Sequence, residues 1–288
     1  MKKPQSETSP RRIAVILGTG GSGRSLLEHL WPLLGRKLSI EVIGIFVEDD
    51  ELQRAANLPF VKELCRLTFS LREFQNVEFE RAVAMRMRAA RSALDELAGR
   101  AGISHSFRNV RGSALKTLLE TALESDITVF QPLSLFASTP PHTGTRVRPS
   151  PRHLMVGLDD LDSGNKALIA AGVLARGLSC RVTVVAAGAA AGDPETLSRL
   201  VEYSIHFPGV RVRTVTVSDN QALIQAARLA GPDMLVLGAS ESLLDTGALR
   251  TLREQLRCPV FLVRQWHDNQ GEKEGRQDTS GIVQVQKG

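Results

Sequence analysis

The chain has 288 residues, of which 42% are hydrophobic and 23% charged. These proportions are those of a folded globular protein and exclude extensive disorder. At about 150 residues per domain, the length predicts two domains. No run reaches the roughly 18 unbroken apolar residues of a membrane helix, and none follows Lys2 and Lys3 as a secretory leader would. We therefore expect a cytoplasmic protein that contacts no membrane. The net charge of +5, confined to residues 1–150, is too small to predict nucleic-acid binding.

The first half alternates short apolar segments, typical of buried parallel strands, with amphipathic helices. Residues 1–10 are predicted to be disordered, the acidic run 48–51 to be a solvated loop, and residues 132–151, with five prolines, to be a linker. The remaining elements are predicted as strands at 12–18, 39–47, 103–110 and 126–131, a helical, partly irregular insertion at 51–75, and helices from 22 onward, at 77–100 and at 113–125.

The second half begins with the same alternation and ends in a polar tail, residues 265–288, predicted to be disordered. Strands that alternate with helices predict parallel sheets covered by helices on both faces. The elements are predicted as strands at 153–158, 180–187, 210–217, 233–238 and 259–264, and helices at 163–176, 194–206, 220–229 and 247–256.

The two halves read as diverged copies of one α/β unit. In both, the fourth strand begins with an aspartate, as DITVFQ from Asp126 and as DMLVLG from Asp233. The repeat predicts one domain over 11–131 and another over 152–264. Each is expected to be Rossmann-like with a parallel five-stranded sheet, and the first is truncated at its last helix and strand.

The second copy ends in RCPVFLVR, Arg257 to Arg264. Together with the DMLVLG strand, this segment resembles the universal stress protein domain, over all of 152–264 and more loosely over 12–131. The resemblance implies an adenine nucleotide alpha hydrolase-like fold and a tandem member of the family. It also implies a regulatory or interaction role in stress response without catalysis. Because the fifth strand commonly pairs across a dimer in the family, Pro259–Arg264 is expected to be an edge strand for self-association or a protein partner.

Members of the family that bind ATP place an aspartate after the first strand and a glycine pattern after the fourth. The resemblance assigns these positions to Asp159 and Gly238, with Gly247 as the downstream glycine. Glu241 stands where the pattern has its second glycine, and the loop is short. ATP or another adenine nucleotide is the cofactor that the resemblance implies, but we expect impaired binding, because a carboxylate beside phosphates is repulsive.

The first copy departs from the family pattern differently. Gly18 occupies its strand-end position, and no glycine loop follows Phe130. Neither copy is therefore expected to retain a complete nucleotide site. We expect no bound cofactor, and ATP or another adenine nucleotide is the alternative.

A glycine turn, Gly18 to Ser25, follows the first strand and contains Gly20 and Gly23. Three interpretations remain open. The turn could bind a nucleotide or another anion, making the protein a sensor. With Glu48 as the ribose-binding acid, it could serve a nicotinamide-dependent oxidoreductase. A tight turn into a helix also needs glycines for its own geometry, and this interpretation is favoured.

No catalytic or metal-binding pattern is found elsewhere. The six histidines lack ligand spacing, and the three cysteines, Cys65, Cys180 and Cys258, form no pair that predicts a disulfide or a zinc site. The acidic cluster Asp159 to Asp162 is interpreted as a helix start capped by Asp162 or Ser163 rather than as a magnesium site. We therefore predict no enzymatic activity.

Overall fold

A computed structural model describes residues 10–18, 23–34, 39–64, 68–132, 151–176, 180–205 and 210–266. Most of the predicted disordered start, of the linker and of the predicted disordered tail lies outside the described residues. One part of the tail is inside them, and there the prediction is wrong. Trp266 is 2% exposed, and the Arg11 guanidinium lies 4.7 Å from the centre of its ring.

The first half contains the predicted strands, although their ends shift by one or two residues. The long helix ends as predicted at Gly102, which adopts a left-handed backbone with φ of 64°. The elements are β1 (Arg11–Gly18), α1 (Gly23–Glu28), α2 (Trp31–Leu34), β2 (Ile40–Asp49), α3 (Asp50–Ala56), β3 (Lys62–Leu64), β4 (Leu71–Glu73), α4 (Asn76–Ala101), β5 (Ser104–Gly112), α5 (Ala114–Glu124) and β6 (Ile127–Phe130).

Among its described residues, the insertion at 51–75 is helical only over α3, and it also contains the antiparallel strands β3 and β4, which were not predicted. Two other local predictions for the first half are wrong. The single helix expected from residue 22 is interrupted after Glu28, because Pro32 has no N–H to donate to the Glu28 carbonyl. The acidic run 48–51 is not a loop, since β2 continues to Asp49 and α3 begins at Asp50. Asp49 caps α3 by accepting a hydrogen bond from the Glu51 N–H at 3.0 Å.

The second half also follows the predicted order, with one short helix, α7, that the sequence pattern did not indicate. The elements are β7 (His153–Leu158), α6 (Leu161–Ala175), β8 (Arg181–Ala186), α7 (Gly188–Ala191), α8 (Pro194–Ser204), β9 (Arg211–Thr216), α9 (Asn220–Ala230), β10 (Met234–Gly238), α10 (Thr246–Gln255) and β11 (Val260–Val263).

The strands of both halves form one nine-stranded sheet in the order β5-β2-β1-β6-β11-β10-β7-β8-β9. Four strands of the first half and five of the second are parallel within each half. This arrangement confirms the α/β class, the Rossmann-like units and the truncation of the first copy. Helices cover both faces, with α1, α2, α4, α6 and α8 in the core on one side and α5, α9 and α10 on the other.

The halves meet where β11 pairs antiparallel with β6, Phe261 opposite Val129. On its other side β11 pairs with β10. The prediction that Pro259–Arg264 is an edge strand open to another molecule is therefore wrong. Because the first half lacks its own fifth strand, β6 is left with a free side, and β11 of the same chain occupies it.

The repeated aspartates have equivalent structural roles. Asp126 Oδ2 accepts a hydrogen bond from the Arg12 N–H at 2.8 Å. Asp233 Oδ2 accepts from the N–H groups of Arg152 and His153 at 2.8 and 3.0 Å. In each half the carboxylate joins the start of the fourth strand to the start of the first. This contact between the two strand starts explains why the fourth strand begins with an aspartate in both copies.

No helix within the described ranges is long and apolar enough to cross a membrane.

Candidate functional site

The candidate site of the second half lies at the carboxyl ends of β7 and β10. The chain leaves these neighbouring strands in opposite directions along the sheet, since β7 is followed by β8 on one side and β10 is followed by β11 on the other. In open α/β sheets, ligands bind in the crevice at such a switch of strand order. The structure brings Asp159, which follows β7, close to the loop that follows β10.

The carboxylate of Asp159 is engaged by side chains of its own chain. Its Oδ2 accepts hydrogen bonds from the Ser240 hydroxyl at 2.5 Å and from the Ser242 hydroxyl. It also accepts from the Asn220 side-chain amide at 3.3 Å. The Asp160 N–H donates to the other oxygen at 3.1 Å. Asp159 is only 9% exposed, so its hydrogen-bonding capacity is largely used within the protein.

The loop from Ser240 to Asp245 is held against the site by its own contacts. Leu243 is fully buried in the core beneath α9 and α10. The Ser240 hydroxyl accepts a hydrogen bond from the Leu243 N–H at 3.3 Å. Asn220, at the start of α9, donates to the Ser242 hydroxyl at 2.7 Å. A buried leucine and a hydroxyl-to-backbone turn therefore place both serines over Asp159.

Gly247, predicted as the downstream phosphate glycine, lies in the first turn of α10. Its N–H donates to Asp245 Oδ2 at 2.8 Å, and the Ala248 N–H donates to the same oxygen at 3.4 Å. The backbone donors that a phosphate would use are thus occupied by a carboxylate of the chain.

The start of α6 is also capped by an aspartate side chain, but not by either of the predicted residues. Asp160, not Asp162 or Ser163, is the N-cap. Its side chain accepts from the Ser163 N–H at 2.8 Å and from the Ser163 hydroxyl at 2.5 Å. Asp162 instead pairs with Lys166 one turn along the helix, at 2.6 Å.

Gly238, predicted as the first phosphate glycine, lies against the backbone of α6. A Cβ at this position would lie 2.7 Å from both the carbonyl carbon and the carbonyl oxygen of Ser163. Such contacts are shorter than van der Waals separation. The absence of a side chain here lets the start of α6 approach the end of β10, with or without a ligand.

Gly238→Ala is therefore expected to lower the free energy of unfolding by about 1–3 kcal/mol, as overpacking does in a filled core. Chemical denaturation of the ligand-free chain measures the change. Gly99→Ala is the control, because a Cβ at Gly99 in α4 would meet nothing within 4 Å and alanine favours a helix. If Gly238→Ala leaves stability unchanged, close packing is not the reason for this glycine.

The glycine turn of the first half is only partly described. Gly18 is the exposed last residue of β1, and Gly20 lies outside the described residues. Gly23 begins α1, where a Cβ would lie 3.2 Å from the Ala90 Cβ and 3.3 Å from Leu17 Cδ2. Ser25 lies in α1, and its carbonyl accepts a hydrogen bond from His29 Nδ1 at 2.6 Å. Close packing of α1 against α4 thus accounts for Gly23.

The charged groups near this turn have partners within the first half. Arg24, which follows Gly23 in the turn, pairs with Glu96 of α4 at 2.5 Å. Glu48, the candidate ribose-binding acid, accepts hydrogen bonds from Asn109 at 2.7 Å and from Gln53 at 3.3 Å.

The described cysteines are buried and free. Cys180 and Cys258 are 4% and 7% exposed, and Cys65 lies outside the described residues. Burial raises the pKa of the Cys258 thiol to about 12 and also raises the pKa of Cys180, so both thiols are protonated near neutral pH. Within the described ranges, no group of three or more His, Cys, Asp or Glu side chains could hold a metal ion.

Sequence reasoning identified Asp159 but missed its partners Ser240, Ser242 and Asn220. A signal was available, since β7 and β10 were predicted to be the first and fourth strands of a parallel unit. Such strands are neighbours in the doubly wound order, so residues following them meet at one edge. The contact of the serines with Asp159 still depended on how the loop folds.

The order of the strands and their parallel pairing within each half define a doubly wound α/β protein. Neither a protein-family model nor a curated protein matches the sequence. Universal stress proteins are among the solved structures similar to this chain. One, from Archaeoglobus fulgidus DSM 4304, is 13% identical with a TM-score of 0.44, and the match covers 87% of this chain and 95% of that one.

Two further solved structures show the range of the similarity. The cytoplasmic domain of a prokaryotic cation chloride cotransporter is 10% identical with a TM-score of 0.44, over 88% of this chain and 95% of that one. A universal stress protein in complex with cAMP is 14% identical with a TM-score of 0.30, over 39% of this chain and 97% of that one.

Proposed function

We propose that this chain is a universal-stress-protein-like regulatory or interaction protein in stress response, without catalytic activity, and that its own loop closes its second-half nucleotide cleft. The observation that carries the proposal is the set of hydrogen bonds to Asp159. Three donors from Ser240, Ser242 and Asn220 converge on one carboxylate oxygen. An adenine base that used this carboxylate would have to displace them.

The surroundings of the cleft further disfavour a triphosphate. Asp245 occupies the N–H groups at the start of α10, and Glu241 adds an exposed carboxylate to the same loop. Like charges at a few ångströms repel by about 1–4 kcal/mol, depending on screening. Adenine-nucleotide binding is therefore proposed to be weak rather than a cofactor requirement.

The alternative of an anion sensor at the glycine turn has less support. The cation suited to an anion, Arg24, already pairs with the Glu96 carboxylate, and packing against Ala90 explains Gly23. The nicotinamide-dependent oxidoreductase is disfavoured for a related reason, because the side chains of Asn109 and Gln53 use the carboxylate of Glu48.

Calorimetric titration of the full chain with ATP tests the closed cleft. We expect no measurable binding at micromolar nucleotide. cAMP is the second probe, because one structural neighbour was solved in complex with it. Micromolar affinity of the unmodified chain for either nucleotide would overturn the proposal.

The double variant Ser240→Ala/Ser242→Ala removes two of the three side-chain donors to Asp159 Oδ2. We expect adenosine to bind this variant at least about tenfold more tightly than it binds the unmodified chain, because the carboxylate regains a free acceptor. ATP should gain less, since Asp245 and Glu241 remain. Ser198→Ala, on α8, removes a hydroxyl that donates to the Pro194 carbonyl and serves as the control. Equal adenosine affinities for all three proteins would show that the loop is not the obstacle.

A further inference from the structure

The exposed apolar side chains of this protein are concentrated in the insertion between β2 and α4. Among the described residues, 13 large hydrophobic side chains are exposed, and seven of them lie between residues 52 and 77. We call five of these the insertion patch: Leu58, Phe60, Leu64, Phe69 and Leu71. Single exposed apolar residues are common on protein surfaces, whereas several of them within one short segment favour an interaction surface.

The two phenylalanines of the insertion patch are unusual in conformation as well as in exposure. Phe60 is 95% exposed and Phe69 is 77% exposed. Their φ angles are 70° and 53°, and among the described residues no other non-glycine residue has a positive φ. Bulky residues rarely adopt this backbone conformation. The two rings therefore combine high exposure with an unfavourable backbone conformation, and both add to the exposed apolar surface of the insertion.

The hairpin of β3 and β4 has two distinct faces. In its antiparallel register, Glu63 lies opposite Arg72 and Leu64 lies opposite Leu71. The Glu63 and Arg72 face is directed toward α4, because Arg72 also pairs with Glu78 of that helix at 3.7 Å. Side chains alternate between faces along a strand, so Leu64 and Leu71 lie on the opposite face, away from α4.

The outer face of the hairpin carries one positive and one negative charge beside its leucines. Lys62 lies opposite Glu73 in the register, and both share the face of Leu64 and Leu71. Such a face is self-complementary under a two-fold axis, with Lys62 of one copy opposite Glu73 of the other. An anionic membrane would require an excess of positive charge, which this face lacks.

The exposed apolar area of the insertion patch is of the same order as one side of a stable interface, although smaller. From the exposed fractions of its five residues, the insertion patch presents apolar surface on the order of 600 Å². A stable interface buries about 800 Å² on each partner, with a polar rim around an apolar centre. The patch with its charged rim therefore approaches what one side of a stable dimer requires.

We propose that the insertion patch is a docking surface for a second copy of this chain, which forms a two-fold symmetric dimer through the outer faces of the β3–β4 hairpins. This interface is separate from the β6–β11 junction, which lies within one chain. It also does not depend on the state of the nucleotide cleft, so the dimer and the proposed function can fail independently.

Sedimentation equilibrium of the full chain at micromolar concentrations measures the assembly. We expect a mass of twice 31.3 kDa, and we expect Leu71→Asp to weaken the dimer by at least about a hundredfold, because it buries an unpaired charge at the centre of the interface. Leu229→Asp is the control, since Leu229 is 78% exposed on α9, away from the hairpin. A monomer at every concentration overturns the proposal, whether or not the patch then binds vesicles of anionic lipid.

Charge exchange tests the geometry of the dimer. Lys62→Glu alone and Glu73→Lys alone each place like charges across the two-fold axis, and we expect each to weaken self-association by about tenfold. Mixing the two single variants restores opposite charges at both contacts between the chains, while the like charges within each hairpin remain. We therefore expect the mixture to form a heterodimer with near-native affinity. Failure of the mixture to associate better than either variant alone would exclude this docking arrangement.

Discussion

Phe261→Ala is expected to lower the free energy of unfolding by about 3–5 kcal/mol, the usual cost of a large cavity in a well-packed core. Phe261 is fully buried at the centre of β11, between Val129 of β6 and Val236 of β10. Its side chain thus packs where the two halves join. Chemical denaturation followed by circular dichroism measures the loss.

The same experiment tests whether the halves unfold together. Because one sheet runs through both, we expect a single cooperative transition that moves as a whole. Tyr203→Ala removes another aromatic side chain, but this one is 76% exposed, and its effect should stay within about 0.5 kcal/mol. Two separate transitions, with only the later one affected, would show that the junction does not couple the halves.

Arg253→Ala is expected to cost about 3 kcal/mol of stability, because the largely buried Asp49 carboxylate loses its charged partner and keeps only the hydrogen bond from the Glu51 N–H. Arg253 of α10 pairs with Asp49 at the end of β2 at 2.7 Å, and the two side chains are only 16% and 15% exposed. Thermal or chemical denaturation measures the loss. This ion pair joins the halves beside the sheet, on the face covered by α10.

Arg199→Ala is the matched control for the buried pair. Arg199 pairs with Glu195 at a similar distance, 2.5 Å, but the side chains are 75% and 78% exposed, and exposed pairs contribute at most about 1 kcal/mol. In an Asp49→Ala background, Arg253→Ala should cost much less than in the native chain, because the carboxylate that would lose its charged partner is already absent. Equal costs in both backgrounds would mean that the pair itself contributes little.

Most elements of this fold could be predicted from local pattern. The strand His153–Leu158 was predicted with its observed ends, because continuous apolar runs report burial on both faces of a parallel sheet. The end of α4 at Gly102 was predicted because glycine tolerates the left-handed backbone. The break before Trp31 and the extension of β2 through Asp49 were missed. In each case one residue has an effect that periodicity does not report. Pro32 lacks the N–H that would continue the helix, and the Asp49 side chain caps α3.

The candidate site could be predicted only in part. Asp159, Gly238 and Gly247 were identified through the resemblance to the universal stress protein domain. Their surroundings in the structure are contacts within the chain: serine hydroxyls on Asp159, the Ser163 backbone beside Gly238, and the Asp245 carboxylate on the Gly247 N–H. A sequence motif indicates which residues lie near one another. It does not show whether their hydrogen-bonding groups are already occupied by other groups of the same chain.

By itself, the sequence determined the α/β class, the two unequal copies of one unit and the loss of the last helix and strand from the first. These features are local, since apolar periodicity and a repeated aspartate can be recognised within short segments of the sequence. Only the tertiary structure decided how the copies meet. The antiparallel pairing of β11 with β6 and the ion pair between Asp49 and Arg253 join residues far apart in the chain. They form because an unpaired strand edge and a buried charge each require a partner. A local sequence pattern does not indicate which distant residue will be that partner.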